Sequence, residues 1–164
     1  MATNVIETRR VSATPTVDTS AYASGDVMGG ILTFSKALRF ASRSGRVVAV
    51  HALDKTASSG LAASSLWLFS SSPSSSTTTD QGAFNLADAD LTKLCGVITF
   101  VSGDVVDGGT GNQLLQQVGI YVPVHADAAT DDSDPTLYGV LVAGGDVTFA
   151  AASDLTLRLT IECD

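Results

Sequence analysis

The chain has 164 residues, enough for one domain with its own core, and 45% of them are hydrophobic. Only 16% are charged, 17 acids against 9 bases, for a formal net charge of −8. A nucleic-acid backbone is repelled by such a chain unless its bases gather on one face, so no direct nucleic-acid binding is expected.

The first 20 residues are polar and carry Arg9 and Arg10. NVIETRRVS reads as an early strand, so residues 1–20 are either an N-terminal arm or the first strand of the fold, ahead of a single domain at 21–164. The opening MATNVIETRR has no apolar core of the signal-peptide kind, and the longest apolar run, VITFV at 97–101, is far too short to cross a bilayer. The expectation is a chain made and used without Sec export or membrane contact.

YASGDVMGG at 22–30 follows. A Gly-rich loop that cradles phosphate needs a following helix and a lysine or GxGxxG spacing, and neither is here. Tyr22, Gly25, Asp26, Gly29 and Gly30 therefore read as a structural corner. Gly25-Asp26 makes a turn, and Gly29-Gly30 bends the chain into the strand ILTF. ILTFSKALRFAS holds one strand or a bent pair. GRVVAVHALDK reads as a strand covered on both faces, with Val48, Val50 and Ala52 in one row and Val47, Ala49, His51 and Leu53 in the other.

In SLWLFSS both faces are apolar, with Leu66 and Leu68 opposite Trp67 and Phe69. Trp67 thus reads as core rather than as a platform for a sugar ring. SSSPSSSTTTDQG at 70–82 is a low-complexity loop. NLADADLTKLCG holds the one short helix, with Leu86, Leu91 and Leu94 on a stripe. GVITFV, VGIYVPVHA and TLYGVLVAGG are strands, separated by a Gly-Asp loop at 102–113 and an acidic loop at 127–135. DLTLRLTIEC is the clearest strand: Leu155, Leu157, Leu159 and Ile161 face one way, Thr156, Arg158, Thr160 and Glu162 the other. About eight strands with turn residues between them predict an all-β antiparallel sandwich or barrel with one short helix.

Site chemistry is sparse. No nucleophile elbow or phosphate-binding loop occurs, and GGTGNQ has Leu114 where a dinucleotide motif needs its third glycine. His51 and His125 fall in or at the end of strands and read as packed residues rather than bases. Cys95 and Cys163, in apolar runs without CxxC spacing, read as small buried hydrophobes; two cysteines alone do not define a disulfide. Asp127, Asp131, Asp132 and Asp134 do not follow a calcium-loop order and read as a solvated acidic loop. The expectation is a non-enzymatic protein with no catalytic residue, cofactor or metal, acting through its surface.

Several stretches carry a resemblance. PTVDTSAYASGDVMGGILTF, then GRVVAVHALDK, LWLFSSSP and TDQGAFNLADADLTKLCGVITF, resemble in content and order small structural proteins of tailed bacteriophages. More narrowly they are similar to the capsid decoration, or cement, proteins. The resemblance spans about residues 14–101; the last third carries none. It implies a jelly-roll-like sandwich on the outer surface of the virion head. The implied partner is the major capsid protein, and the chain would stabilise neighbouring capsomers as a homo-oligomer, a trimer first and a dimer second. On that expectation Arg9 and Arg10 are the candidate capsid contacts. The alternative is a tail or receptor-contacting virion protein that binds carbohydrate.

Overall fold

A computed structural model describes residues 6–39, 43–127 and 135–163. Nine strands make two antiparallel sheets: β1 (Glu7–Ala13), β2 (Val27–Phe34), β3 (Ser44–Asp54), β4 (Ser65–Phe69), β5 (Leu94–Thr99), β6 (Val105–Gly109), β7 (Asn112–His125), β8 (Leu137–Val142) and β9 (Leu155–Cys163). One sheet has the order β1-β9-β3-β7-β6, the other β2-β8-β4-β5.

The antiparallel pairs β1/β9, β2/β8, β3/β7 and β4/β5 nest inside one another along the chain. One long hairpin of four strand pairs, rolled so that successive pairs fall in opposite sheets, produces this order. That is a jelly roll. Its outer pairs are non-local: Glu7 lies opposite Cys163, and Ala13 opposite Leu157.

The alternation in β9 shows why the sheets stack. Leu155, Leu157, Leu159, Ile161 and Cys163 are all buried, and the residues between them are half-exposed. Each fully buried leucine is worth roughly 1.5–3 kcal/mol relative to an exposed one. Across the interlayer space they meet Leu66, Leu68, Phe34, Leu137 and Leu141 of the second sheet, in the main cluster.

The structure corrects four details of the sequence reading. Val48 does not share a row with Val50 and Ala52. The register of β3 shifts between Val47 and Ala49 against both β7 and β9, so Val47, Val50 and Ala52 point inward and Val48 is left half-exposed at the bulge. The Gly-Asp stretch at 102–113 is not only a loop. It holds a short 3-10 turn and then β6, a ninth strand that hairpins into β7. Thr110 and Gly111, both at positive φ (47° and 81°), form the two-residue turn of that hairpin.

The helix α1 (Asp88–Leu91) is a single turn, and its leucine stripe does not hold. Leu86 and Leu94 pack inward, whereas Leu91 is 55% exposed. Finally, Gly29 and Gly30 lie within β2, at a register shift between Val27 and Ile31, rather than ahead of it.

The outer face of the four-stranded sheet has its own small core. Val27, Phe69, Val140 and Val142 are buried there beneath Phe84, Leu86 and Leu94. Trp67 belongs to this cluster, its ring 5.1 Å from that of Phe84 and its Nε1 donating to Ser65 Oγ. The cover over it is the segment at 70–93. The Ser/Thr loop is therefore tied down: Ser70 N donates to Lys93 O, and Thr77 N to Asn85 O.

The inward assignment of β9 has a measurable consequence. Leu159→Ala is expected to cost about 2–5 kcal/mol in denaturant unfolding. Leu91→Ala, at the exposed end of α1, is expected to stay within about 0.5 kcal/mol.

Candidate functional site

The motif at 22–30 is a knot rather than a pocket. Tyr22 is fully buried and its backbone bridges Val147 in both directions. Its ring meets Phe149 edge-on at 6.0 Å. Its hydroxyl donates to Asp80 Oδ1 at 2.8 Å and accepts from Asp18 N. Desolvation raises the phenol's pKa far above its ordinary 10, and the Asp80 hydrogen bond and charge push the same way, so the ring stays protonated.

Ala23 to Asp26 form a turn with Gly25 at φ 95° in its third position, closed by Asp26 N donating to Ala23 O. Asp26 Oδ2 accepts from Ala23 N. Gly29 N donates to the same Asp80 oxygen at 2.6 Å. Gly29 has φ 75°, and a Cβ there would lie 2.2 Å from Pro15 Cβ; Gly30 has φ 76°. These residues close the corner between the lead-in at 15–22, β2 and the turn at 79–82, and their polar atoms are engaged in doing so.

Arg9 and Arg10 sit on β1, which pairs with β9 at the sheet edge, and they point to opposite faces. Arg9 is spent inside the molecule. Its Nε donates to Glu7 Oε1 at 2.8 Å and its Nη1 to the carbonyls of Lys36 and Leu38. Arg10 is exposed on the outer face. Residues 1–5 of the N-terminal stretch lie outside the described residues.

Neither histidine is presented as a base beside an aligned acid. His51 faces outward from β3, directly opposite Arg158 of β9. Its pKa is lowered by burial first, then by the positive charges of Arg158 and Arg10, so it is neutral at pH 7. Its Nδ1 is shielded from solvent and has no hydrogen-bond partner. His125 Nδ1 is 3.9 Å from Cys95 Sγ, but burial pushes the Cys95 thiol up, away from thiolate character. Cys163 is buried, and both cysteines are free thiols. Among the described residues no three His, Cys, Asp or Glu side chains are grouped to hold a metal ion. Asp131, Asp132 and Asp134 lie outside those residues.

Two recesses are shallow. One, of about 520 Å³, is walled by Ala62, Ala63, Phe100 and Val101, with the hydroxyls of Thr99 and Ser102 as its polar side chains among the described residues. The other, of about 280 Å³, lies between Lys55, Asn112 and Arg158, over Asp54. Asp54 is buried and already accepts from Thr56 N, Ser58 N and Gln113 Nε2.

What remains available is a surface, the outer face of the five-stranded sheet. Arg10, Arg158 and His51 occupy one side of it. Val118 (65% exposed), Val106 and Tyr121 occupy the other, around the partly covered Leu53 and Leu114. Arg46 stacks over Tyr121 at 5.6 Å and pairs with Glu162 at 2.8 Å. The sequence reading singled out Arg10 and not Arg158. The signal was present, since His51 and Arg158 are both outward positions of alternating strands; only their register across β3 and β9 was missing.

No protein-family model matches the sequence, and no curated protein matches it.

The corner and the cover each give a test. Gly25→Ala, in open space but at positive φ, is expected to cost roughly 1–2 kcal/mol. Gly29→Ala must also displace Pro15 and is expected to cost more, by denaturant titration.

Asp90, the buried residue of α1, accepts from Ser75 N, Ser76 Oγ and Lys93 Nζ. Burial raises its pKa, but those three donors outweigh it and hold the carboxyl below its ordinary 3.8. A depressed carboxyl stabilises fully above its unfolded pKa and loses that contribution as pH falls through the folded value. Acidification below about pH 4 should loosen the cover and change the emission of Trp67, the single tryptophan. Asp90→Asn should show the loosened signal at neutral pH and lack that acid step.

Proposed function

We propose that the chain is a non-enzymatic structural protein of a tailed-bacteriophage virion: a capsid decoration protein that binds the outer head surface and cements neighbouring capsomers. The observation that carries this reading is how the resembling stretches sit in the fold. Those at 15–34 and 79–100 are far apart in sequence. Asp80 ties them together by accepting from Tyr22 Oη and Gly29 N, and Asp26 bridges Ala83. The resemblance thus falls on one interlocked scaffold unit, not on scattered turns.

A jelly roll filled by side chains, with its polar corner groups consumed internally, supports work done at a surface. DNA packing pushes a head outward. A clamp across two subunits adds interface that must break before they part, and interfaces of standard size bury on the order of 1,200–2,000 Å². Several modest contacts held on one rigid oligomer reinforce each other through effective concentration. A trimer suits that role, with a dimer next, and the partner is the major capsid protein.

Position and stoichiometry on a purified particle test the reading. The expected result is many copies distributed over the head, whose loss lowers the temperature at which heads release DNA. A few copies at the tail would replace it with the receptor-contacting alternative, and absence from particles would end both.

A further inference from the structure

The two sheets treat their outer faces differently. The segment at 70–93 covers that of the four-stranded sheet. No described segment covers that of the five-stranded sheet at Arg10, Val118 or Tyr121, all of which are exposed. On this face the register sets Arg158 opposite both His51 and Ser12, with Arg10 one outward position along β1. Side chains in such directly opposed and diagonal positions lie within reach of one another. Among the described residues neither Arg10 nor Arg158 has an ion-pair partner. The one carboxylate facing outward from these strands, Glu162, is held by Arg46.

We infer that this face is the docking surface for an acidic protein partner, with carboxylates seated on Arg10 and Arg158 and an apolar rim packed against Val118, Val106 and Tyr121. The inference rests on the decoration reading, which makes that partner the head lattice. Charge complementarity selects the occupant. A second copy stacked symmetrically through the same face would set four unpaired arginines together. A nucleic acid would meet two arginines on a chain of net charge −8. Carboxylates on a protein surface suit both guanidinium forks, and a few of them are repelled by the chain's net charge less than a polyanion is. Arg9, engaged with the carbonyls of Lys36 and Leu38, takes no part.

The test measures occupancy on heads stripped of this protein, at several salt concentrations. It compares wild type, Arg10→Glu/Arg158→Glu, the milder Arg10→Gln/Arg158→Gln, and the charge-reversal control Lys36→Glu, each checked for an unchanged melting profile. The Glu pair should weaken occupancy by roughly tenfold or more, with the Gln pair intermediate and both less salt-sensitive than wild type. The control should bind as wild type does.

Equal binding by the Gln pair and wild type overturns the inference while leaving the decoration reading intact. Wild type that fails to bind heads removes the decoration reading and this partner with it. Loss of a wild-type oligomer in the Arg variants by sedimentation would make the occupant a second copy. DNA retardation that depends on the two arginines would make it nucleic acid. Either result overturns the acidic-protein assignment.

Discussion

A sandwich of two sheets has four faces, and only two of them can bury each other. In this protein the inner faces do so through the leucines of β9 and the leucine and phenylalanine positions of β2, β4 and β8. The four-stranded sheet is also apolar on its second face, because Trp67 and Phe69 alternate with Leu66 and Leu68. That face must be covered, and 24 consecutive residues at 70–93 run over it with Phe84 and Leu86 turned inward. The five-stranded sheet alternates apolar with polar in β9 and half-buried with exposed positions in β1, and keeps a face that meets water. Which surface is free for a partner therefore follows from which strands are apolar on both sides.

The cover is held by polar chemistry because its sequence offers little else. SSSPSSSTTT has no apolar side chain besides Pro73. Two aspartates compensate. Asp90 of α1 gathers Ser75, Ser76 and Lys93, and Asp80 gathers Tyr22 and Gly29 at the corner. A buried carboxylate with several donors is tolerated because its lone pairs are satisfied, and it fixes loop geometry that hydrophobic packing alone would leave loose. The Ser/Thr run at 70–79 is in this sense specified by residues outside it.

Period-two alternation in β9, the turn at Gly25-Asp26 and the shortage of helical patterning were enough to read an all-β sandwich from the residues. What escaped were features whose cause lies in a partner strand. The Val48 bulge exists because β3 must follow β7 and β9, each of which shifts register there. VVDGG in β6 has no alternation of its own and is a strand because β7 offers it an edge. Tyr22 and Asp80 are 58 positions apart, and nothing local links them. The candidate surface shows the same limit. Arg10 was visible as a basic residue in a polar stretch, but its alliance with Arg158, 148 positions later, exists only once β1 and β9 pair.

The distribution of charge matters more than its sum. A chain with a net charge of −8 is repelled at long range from another acidic body, which slows encounter. Close to contact the local field decides, and on the five-stranded face it is set by Arg10 and Arg158 over a low-dielectric floor of Ala49, Leu53 and Leu114. An acidic partner would therefore be turned away from most orientations and held in one. On the proposed decoration reading, that combination suits a protein that must arrive one way round. Apolar contact at Val118 and Tyr121 supplies adhesion with little directional preference, and the arginines supply the orientation.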